Sequence, residues 1–194
     1  MLNREGKDNV TSLEQFELPA RVLLTGFRAT GKSVVGAVLA ALLGYRFIDT
    51  DEELSATMRC SVAEYVREHG WSSFRKLESE LLEHLALMSH VVVATGGGAV
   101  LHQEEWQNLR NQSLVVWLQA DARTISKRLQ VDPVSERQRP SLTSRGTVEE
   151  VELVLAEREA SYREGSDMAI DTTNKSPEEI AVQIHQHITS TENV

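Results

Sequence analysis

Gly26-Phe27-Arg28-Ala29-Thr30-Gly31-Lys32-Ser33 satisfies the pattern G-x-x-x-x-G-K-[ST], the signature of a phosphate-binding loop. Gly26 and Gly31 permit backbone geometry that other residues resist, so successive N–H groups can point inward at phosphate oxygens. A helix opening near Lys32 adds the positive end of its dipole. Lys32 is placed to reach the β- and γ-phosphates, and Ser33 to offer a hydroxyl to Mg²⁺. The flanks agree. Arg21-Val-Leu-Leu-Thr25 reads as a buried strand, and Val35, Val38, Leu39 and Leu42 recur at helical spacing behind the loop.

The same alternation continues outward. Tyr45-Arg-Phe-Ile-Asp49 reads as a second strand, and Ser61-Val-Ala-Glu64 as a capping box that opens a short helix. A longer helix follows, with Leu77, Leu81, Leu82, Leu85 and Met88 along one face. Val91-Val-Val-Ala-Thr95 is a third strand that runs into Gly96-Gly97-Gly98, and Leu114-Val-Val-Trp-Leu118 a fourth. A helix is expected over 121–129, a polar stretch over 130–146, and a further helix from a capping box of Thr147 with Glu150. Residues 167–171 form a weaker fifth strand. Ser176, Pro177 and Glu179 announce the last helix as N-cap, first helical position and capping partner. Strands alternating with helices predict a parallel sheet of about five strands, covered on both faces, with ligands at the carboxyl ends of the strands.

Composition bounds the rest. The chain has 194 residues, 41% hydrophobic and 25% charged, which suits one soluble domain over 20–190 behind a flexible tail over 1–19. A single cysteine, Cys60, excludes an intrachain disulfide and a cysteine-based zinc site and suits a reducing cytoplasm. The formal net charge of -9 argues against nonspecific binding to nucleic acid or an anionic membrane. The longest apolar run, 34–44, is too short to span a bilayer, and the tail lacks the apolar core of a secretory signal.

Three further groups carry chemistry. Asp49 and Asp51 end the second strand beside the phosphate loop, where one carboxylate can serve Mg²⁺ and the other accept a hydrogen bond from a substrate hydroxyl. The alternative for such acids is to cap the next helix. Arg75, Arg139 and Arg158, with Arg137 and Arg163 near them, are candidates for anion binding, and Arg139 lies in a stretch whose composition suits a lid over 130–146. Gly96-Gly97-Gly98 lets backbone N–H groups approach a ligand closely. No Asn-Lys-x-Asp element and no Asp-x-x-Gly switch is present, which disfavours a guanine-nucleotide switch.

Taken in order, these residues resemble the shikimate kinase family. The phosphate loop is followed by Phe47-Ile-Asp49-Thr-Asp51, then Gly70-x-x-x-Phe74-Arg75 with Glu78. Thr95-Gly96-Gly97-Gly98, Arg139-Pro140-x-Leu142 and Arg158 before Tyr162-Arg163 complete the series. The resemblance runs from about residue 21 to about residue 188. It implies the P-loop fold of nucleoside-monophosphate kinases and ATP-dependent phosphorylation of the 3-hydroxyl of shikimate by a cytoplasmic, monomeric enzyme that requires Mg²⁺.

By the same resemblance, Gly26, Arg28, Ala29, Thr30, Gly31, Lys32, Ser33, Val34, Arg128 and Lys175 contact ATP, with Arg128 near the adenine. Ser33 and Asp49 act on the metal. Asp51 binds the substrate hydroxyls and accepts the proton, while Lys32 and Arg139 serve the transferring phosphate. Arg75 and Arg158 hold the carboxylate, beside the backbone of Gly97 and Gly98. Two positions depart from the common pattern. Trp71 stands where many members carry Glu, and Thr30 where Gly, Ala or Cys is commoner. Other readings are a kinase for another polyol acid such as gluconate, a ligand sensor on the same fold, and a switch-type NTPase acting on proteins. Arg75 and Arg158 together with Asp51 favour a cyclic hydroxy acid, and an intact Lys32, Ser33, Asp49, Asp51 and Arg139 speak against a sensor.

Overall fold

The structure, a computed structural model, describes residues 18–131 and 148–190. The expectations placed on 1–17 and 132–147, among them Arg137, Arg139 and the capping box at Thr147, lie outside the described residues. Five strands form one parallel sheet: β1 (Arg21–Thr25), β2 (Arg46–Asp49), β3 (Val91–Ala94), β4 (Ser113–Gln119) and β5 (Met168–Asp171). Their order is β2-β3-β1-β4-β5. The register pairs Asp49 and Leu24 each with Ala94, Thr25 with Trp117, and Gln119 with Asp171. All five carboxyl ends therefore meet along one edge, where the loops expected to bind ligands emerge.

Strand side chains alternate between the two faces. Val22, Leu24, Val92, Val116, Leu118 and Ile170 bury against α1 (Lys32–Leu43) and the C-terminal helix (Pro177–Ser190). Leu23, Val91, Val93, Val115 and Trp117 face the other way, onto Leu82, Leu85, Trp106, Leu109 and Tyr162. The period-two alternation of one apolar run thus builds a three-layer core. Of the apolar positions expected on α1, Val35 and Leu39 are fully buried and Leu42 is exposed.

Between these strands lie α2 (Thr50–Met58), α3 (Val62–Ala86), a 3₁₀ turn (Ala99–Leu101), α4 (Gln103–Arg110), α5 (Ala122–Val131) and α6 (Val148–Glu164); the C-terminal helix is α7. The Ser61–Glu64 capping box is present, with Glu64 N–H donating to Ser61 Oγ at 3.2 Å and Ser61 N–H to Glu64 Oε2 at 2.9 Å. The expected short and long helices share the span of α3 and are separated at Gly70, whose φ of 80° and ψ of 164° are non-helical. A residue with a Cβ resists that geometry, so Gly70 sets where the second half turns toward the sheet. Met88 falls beyond the helix end. α7 starts as expected, with Ser176 N–H donating to Glu179 Oε2 at 2.7 Å.

The opposite edge of the sheet is held by a buried cation. Arg21, 5% exposed, donates to Ser113 Oγ at 2.9 Å and to the carbonyls of Ala86 and Met88 at 2.9 and 2.6 Å, and also to the Asn111 carbonyl. Burial lowers its pKa, and these four acceptors are what let a guanidinium sit there.

Candidate active site

The phosphate loop fits against the end of β4 so closely that only glycine can stand at its head. A Cβ on Gly26, at φ 133°, would lie 2.3 Å from the Leu118 carbonyl oxygen. Gly31 caps α1 with φ 93°. Between them Ala29 takes a left-handed φ of 61°, unusual for a residue with a Cβ. Its carbonyl is held by Arg128 Nη1 at 3.1 Å, and Arg128 Nη2 continues to the Thr172 carbonyl at 2.8 Å. Arg128, expected at the adenine, ties the loop to the end of β5. Thr30 is buried and its hydroxyl donates to the Phe27 carbonyl at 2.8 Å, an internal brace that Gly, Ala or Cys could not supply in the same way.

Lys32 Nζ donates to two loop carbonyls, Gly26 at 2.9 Å and Phe27 at 2.7 Å, and so lies inside the curl of the loop. Ser33 Oγ donates to Asp49 Oδ2 at 2.5 Å. The other oxygen of Asp49 accepts the Asp51 N–H at 2.9 Å, so Asp49 is the residue that caps α2. Capping was the alternative for the two acids; it falls to Asp49, and Asp51 stands in the first turn of α2 beside the Ser33–Asp49 pair. Two hard oxygens in contact at the start of a phosphate-loop helix fit a magnesium ion, which takes few protein ligands and fills its shell from phosphates and water.

Beside this lies an open cleft. Arg75, Arg158, Gly97 and Gly98, assigned to the acceptor by resemblance, all line it, together with Arg28 and Phe27; Asp51 is not among its lining residues. Gly98 lies against Arg75, where a Cβ would stand 2.7 Å from Nη1. The Gly97 carbonyl accepts from Arg158 Nη1 at 3.1 Å and from Tyr162 Oη at 2.7 Å. Tyr162 is fully buried and stacks on Trp117, ring centroids 5.7 Å apart. Trp71, half exposed, has the Arg75 guanidinium 5.4 Å from its ring centroid, a cation–π contact that holds the arginine at the mouth of the cleft.

The remaining ATP candidates are Arg28, Val34 and Lys175. Arg28 stands 5.9 Å over the Phe27 ring. Val34 is exposed on the first turn of α1, and Lys175 Nζ donates to Gln183 Oε1 at 2.8 Å at the start of α7. Near Lys175, Asp171 is held below the usual carboxylate range by hydrogen bonds from the Thr173 hydroxyl and N–H. Asp121, across the same edge, is lowered by the Thr124 N–H and hydroxyl.

Three contributors carry little signal in the sequence. Phe27 lines the cleft yet anchors the loop among Ile125, Val151 and Val154, a packing role that only the apolar residue inside a polar loop hints at. Thr50 accepts the Gly96 N–H at 2.8 Å and so orders the glycine loop. His102 reaches Glu78, which Arg75 also contacts.

A sequence model of the shikimate kinase family matches residues 28–189. A relative described as shikimate kinase 2, from Yersinia enterocolitica, is 43% identical over 173 residues, covering 89% of this chain and 97% of its own. Among solved structures, a shikimate kinase from Acinetobacter baumannii in complex with shikimate superposes with a TM-score of 0.83 at 28% identity, covering 92% of this chain and 97% of that one. A shikimate kinase from Aquifex aeolicus gives a TM-score of 0.74 at 28% identity, over 89% and 98% of the two chains.

Proposed function

This chain belongs to the shikimate kinase family, and from that membership we propose how its residues divide the work of moving a phosphoryl group from ATP to shikimate. The activity itself follows from the family: the enzyme is an ATP-dependent shikimate kinase. What carries the assignment of roles is a single juxtaposition. The arginine-lined cleft opens directly beside the phosphate loop, with Gly97 packed on the Gly26 carbonyl oxygen.

On this reading ATP lies along the loop, its phosphates on the N–H groups of residues 26–33 and on Lys32 Nζ, which leaves the loop carbonyls to meet them. Val34, Arg128 and Lys175 border the nucleotide, with Arg128 nearest the adenine. Shikimate lies in the cleft, its carboxylate between Arg75 and Arg158 and its ring against Gly97 and Gly98. The 3-hydroxyl oxygen attacks the γ-phosphorus, the bond to the β–γ bridging oxygen breaks, and ADP leaves. Asp51, in the first turn of α2 and outside the lining of the cleft, is assigned the hydroxyl and its proton on the strength of its family motif.

Ser33 and Asp49 would hold Mg²⁺, which when bound neutralises charge on the phosphates. Arg139, outside the described residues, is assigned to the transferring phosphate on the strength of its family motif alone. The protein's work is positioning and charge neutralisation, which suits cations gathered in one cleft of an otherwise acidic chain. Among the described residues no helix is long and apolar enough to cross a membrane. A monomer in the cytoplasm is the setting we propose.

The test is ADP release in the presence of shikimate, quinate or gluconate. Release that depends on shikimate supports the reading; equal release with gluconate supports a broader polyol-acid kinase, and release without any acceptor overturns it.

A further inference from the structure

One oxygen of Glu78 serves two donors. Its Oε2 accepts from Arg75 Nη1 on the same helix and lies 3.3 Å from His102 Nε2, at the end of the 3₁₀ turn that follows the glycine loop. Glu78 is 6% exposed and the His102 side chain 11%, so the contact is made away from bulk water. A carboxylate so buried needs compensating donors. Were Arg75 its main support, the guanidinium would be drawn toward Glu78 and away from an anion in the cleft. Arg75 is itself 36% exposed, sits against Gly98 and lines the cleft, so it faces both ways. A second N–H from the imidazole relieves that competition. His102 is fixed in turn by its main chain, which accepts the Trp106 N–H at 2.8 Å and donates to the Ala99 carbonyl at 3.1 Å.

We propose that His102 is a positioning residue for the acceptor site: by sharing Glu78 it holds the Arg75 guanidinium where a bound carboxylate can meet it, and so sets the enzyme's preference for an acid over its uncharged analogue. The inference rests on the reading that Arg75 grips the shikimate carboxylate. His102 touches neither substrate. Its effect is confined to the acceptor side because Glu78 and Arg75 are its route.

The experiment compares three variants with wild type, using shikimate and its methyl ester. His102→Leu removes the donor and should raise the shikimate KM about tenfold, the scale of one hydrogen bond to a charged group, with the ester KM nearly unchanged. The kcat and the KM for ATP should stay within about twofold, the pattern of a lost binding interaction. His102→Gln returns an amide N–H at about the reach of Nε2 and should restore the shikimate KM, whereas His102→Asn, one methylene shorter, should not. An unchanged shikimate KM in His102→Leu overturns the proposal, as does a parallel loss of kcat and of both KM values. Should the leucine variant not fold, equal shikimate KM values for the Gln and Asn variants overturn it. A wild-type enzyme that does not distinguish acid from ester would instead overturn the reading of Arg75.

Discussion

Gly97 and Gly26 meet backbone to backbone: a Cβ on Gly97 would lie 3.3 Å from the Gly26 carbonyl oxygen. Neither partner is a flexible side-chain tip, so the loops that serve the two substrates share one contact. Gly97→Ala should therefore disturb both, raising the KM for ATP and for shikimate together at a stability cost of about 1–3 kcal/mol. At Gly98 the obstructing group is the Arg75 guanidinium, 2.7 Å from the added carbon, and a long side chain can swing aside. Gly98→Ala should raise the shikimate KM alone. Steady-state kinetics on the two alanine variants separates the cases, and identical patterns would disprove the shared contact.

Lys32 lies within the loop's curl, bonded to the carbonyls of Phe27 and Gly26 at 2.7 and 2.9 Å. Lys32→Ala should lower kcat by a factor of about 10² or more while the thermal midpoint stays near wild type, since its charge serves the transferring phosphate. Unimpaired turnover would remove it from the reaction.

Ser33 and Asp49 share a hydrogen bond of 2.5 Å. If they hold magnesium, Ser33→Ala should raise the Mg²⁺ concentration for half-maximal rate by about tenfold, one lost ligand to a hard cation. Binding of ATP without metal should change little. Asp49→Asn should show the same metal dependence and, since amide oxygen still accepts the Asp51 N–H, retain α2 by circular dichroism. A magnesium requirement unmoved in both variants would place the ion elsewhere.

Arg75→Ala should weaken shikimate at least about tenfold, because an arginine grips a carboxylate through paired charged hydrogen bonds of about 1.5–3 kcal/mol each. The ATP affinity should change much less. Wild type should discriminate strongly against methyl shikimate and the variant far less; equal acid-to-ester ratios would show that Arg75 does not read the carboxylate.

Acid should loosen the edge where β4 and β5 end. Asp121 and Asp171 are both held below the ordinary aspartate value of 3.8 by hydrogen bonds in the folded state. A carboxyl lowered on folding contributes stability above its unfolded pKa, and that contribution is lost as pH falls through the folded value. The thermal midpoint should accordingly decline from about pH 4 downward, and Asp171→Asn should flatten part of that decline. Because both groups are exposed the effect should be small. A rise in midpoint over the same interval would contradict the sign.

The strands and the phosphate loop were legible because each rests on a local pattern. Val91 to Ala94 is apolar throughout because it is buried on both faces, and Ser176 with Glu179 spells out its own helix start. α2 was not legible because it follows β2 without a spacer, Asp49 serving as last strand residue and N-cap at once. α4 buries only Trp106 and Leu109, too few positions to set a period. The cleft's outline came from motifs, but its wiring did not. Glu78 meets His102 across 24 positions and Arg128 meets Ala29 across 99, contacts set by how the layers pack and by nothing adjacent in the chain.

The sheet order also dictates a timetable for synthesis. β1, among the first described segments to leave the ribosome, ends up in the middle, and Arg21 bonds Ser113, 92 positions later. Until β3 emerges β1 has no neighbour in the sheet, and until β4 follows it has one on a single side only, so Val22, Leu23 and Leu24 wait without their final cover. Such distant pairings close slowly and leave apolar segments exposed meanwhile. A nascent chain stalled before β4 should therefore be the form of this enzyme most in need of a chaperone, and one released past it should fold around its own first strand.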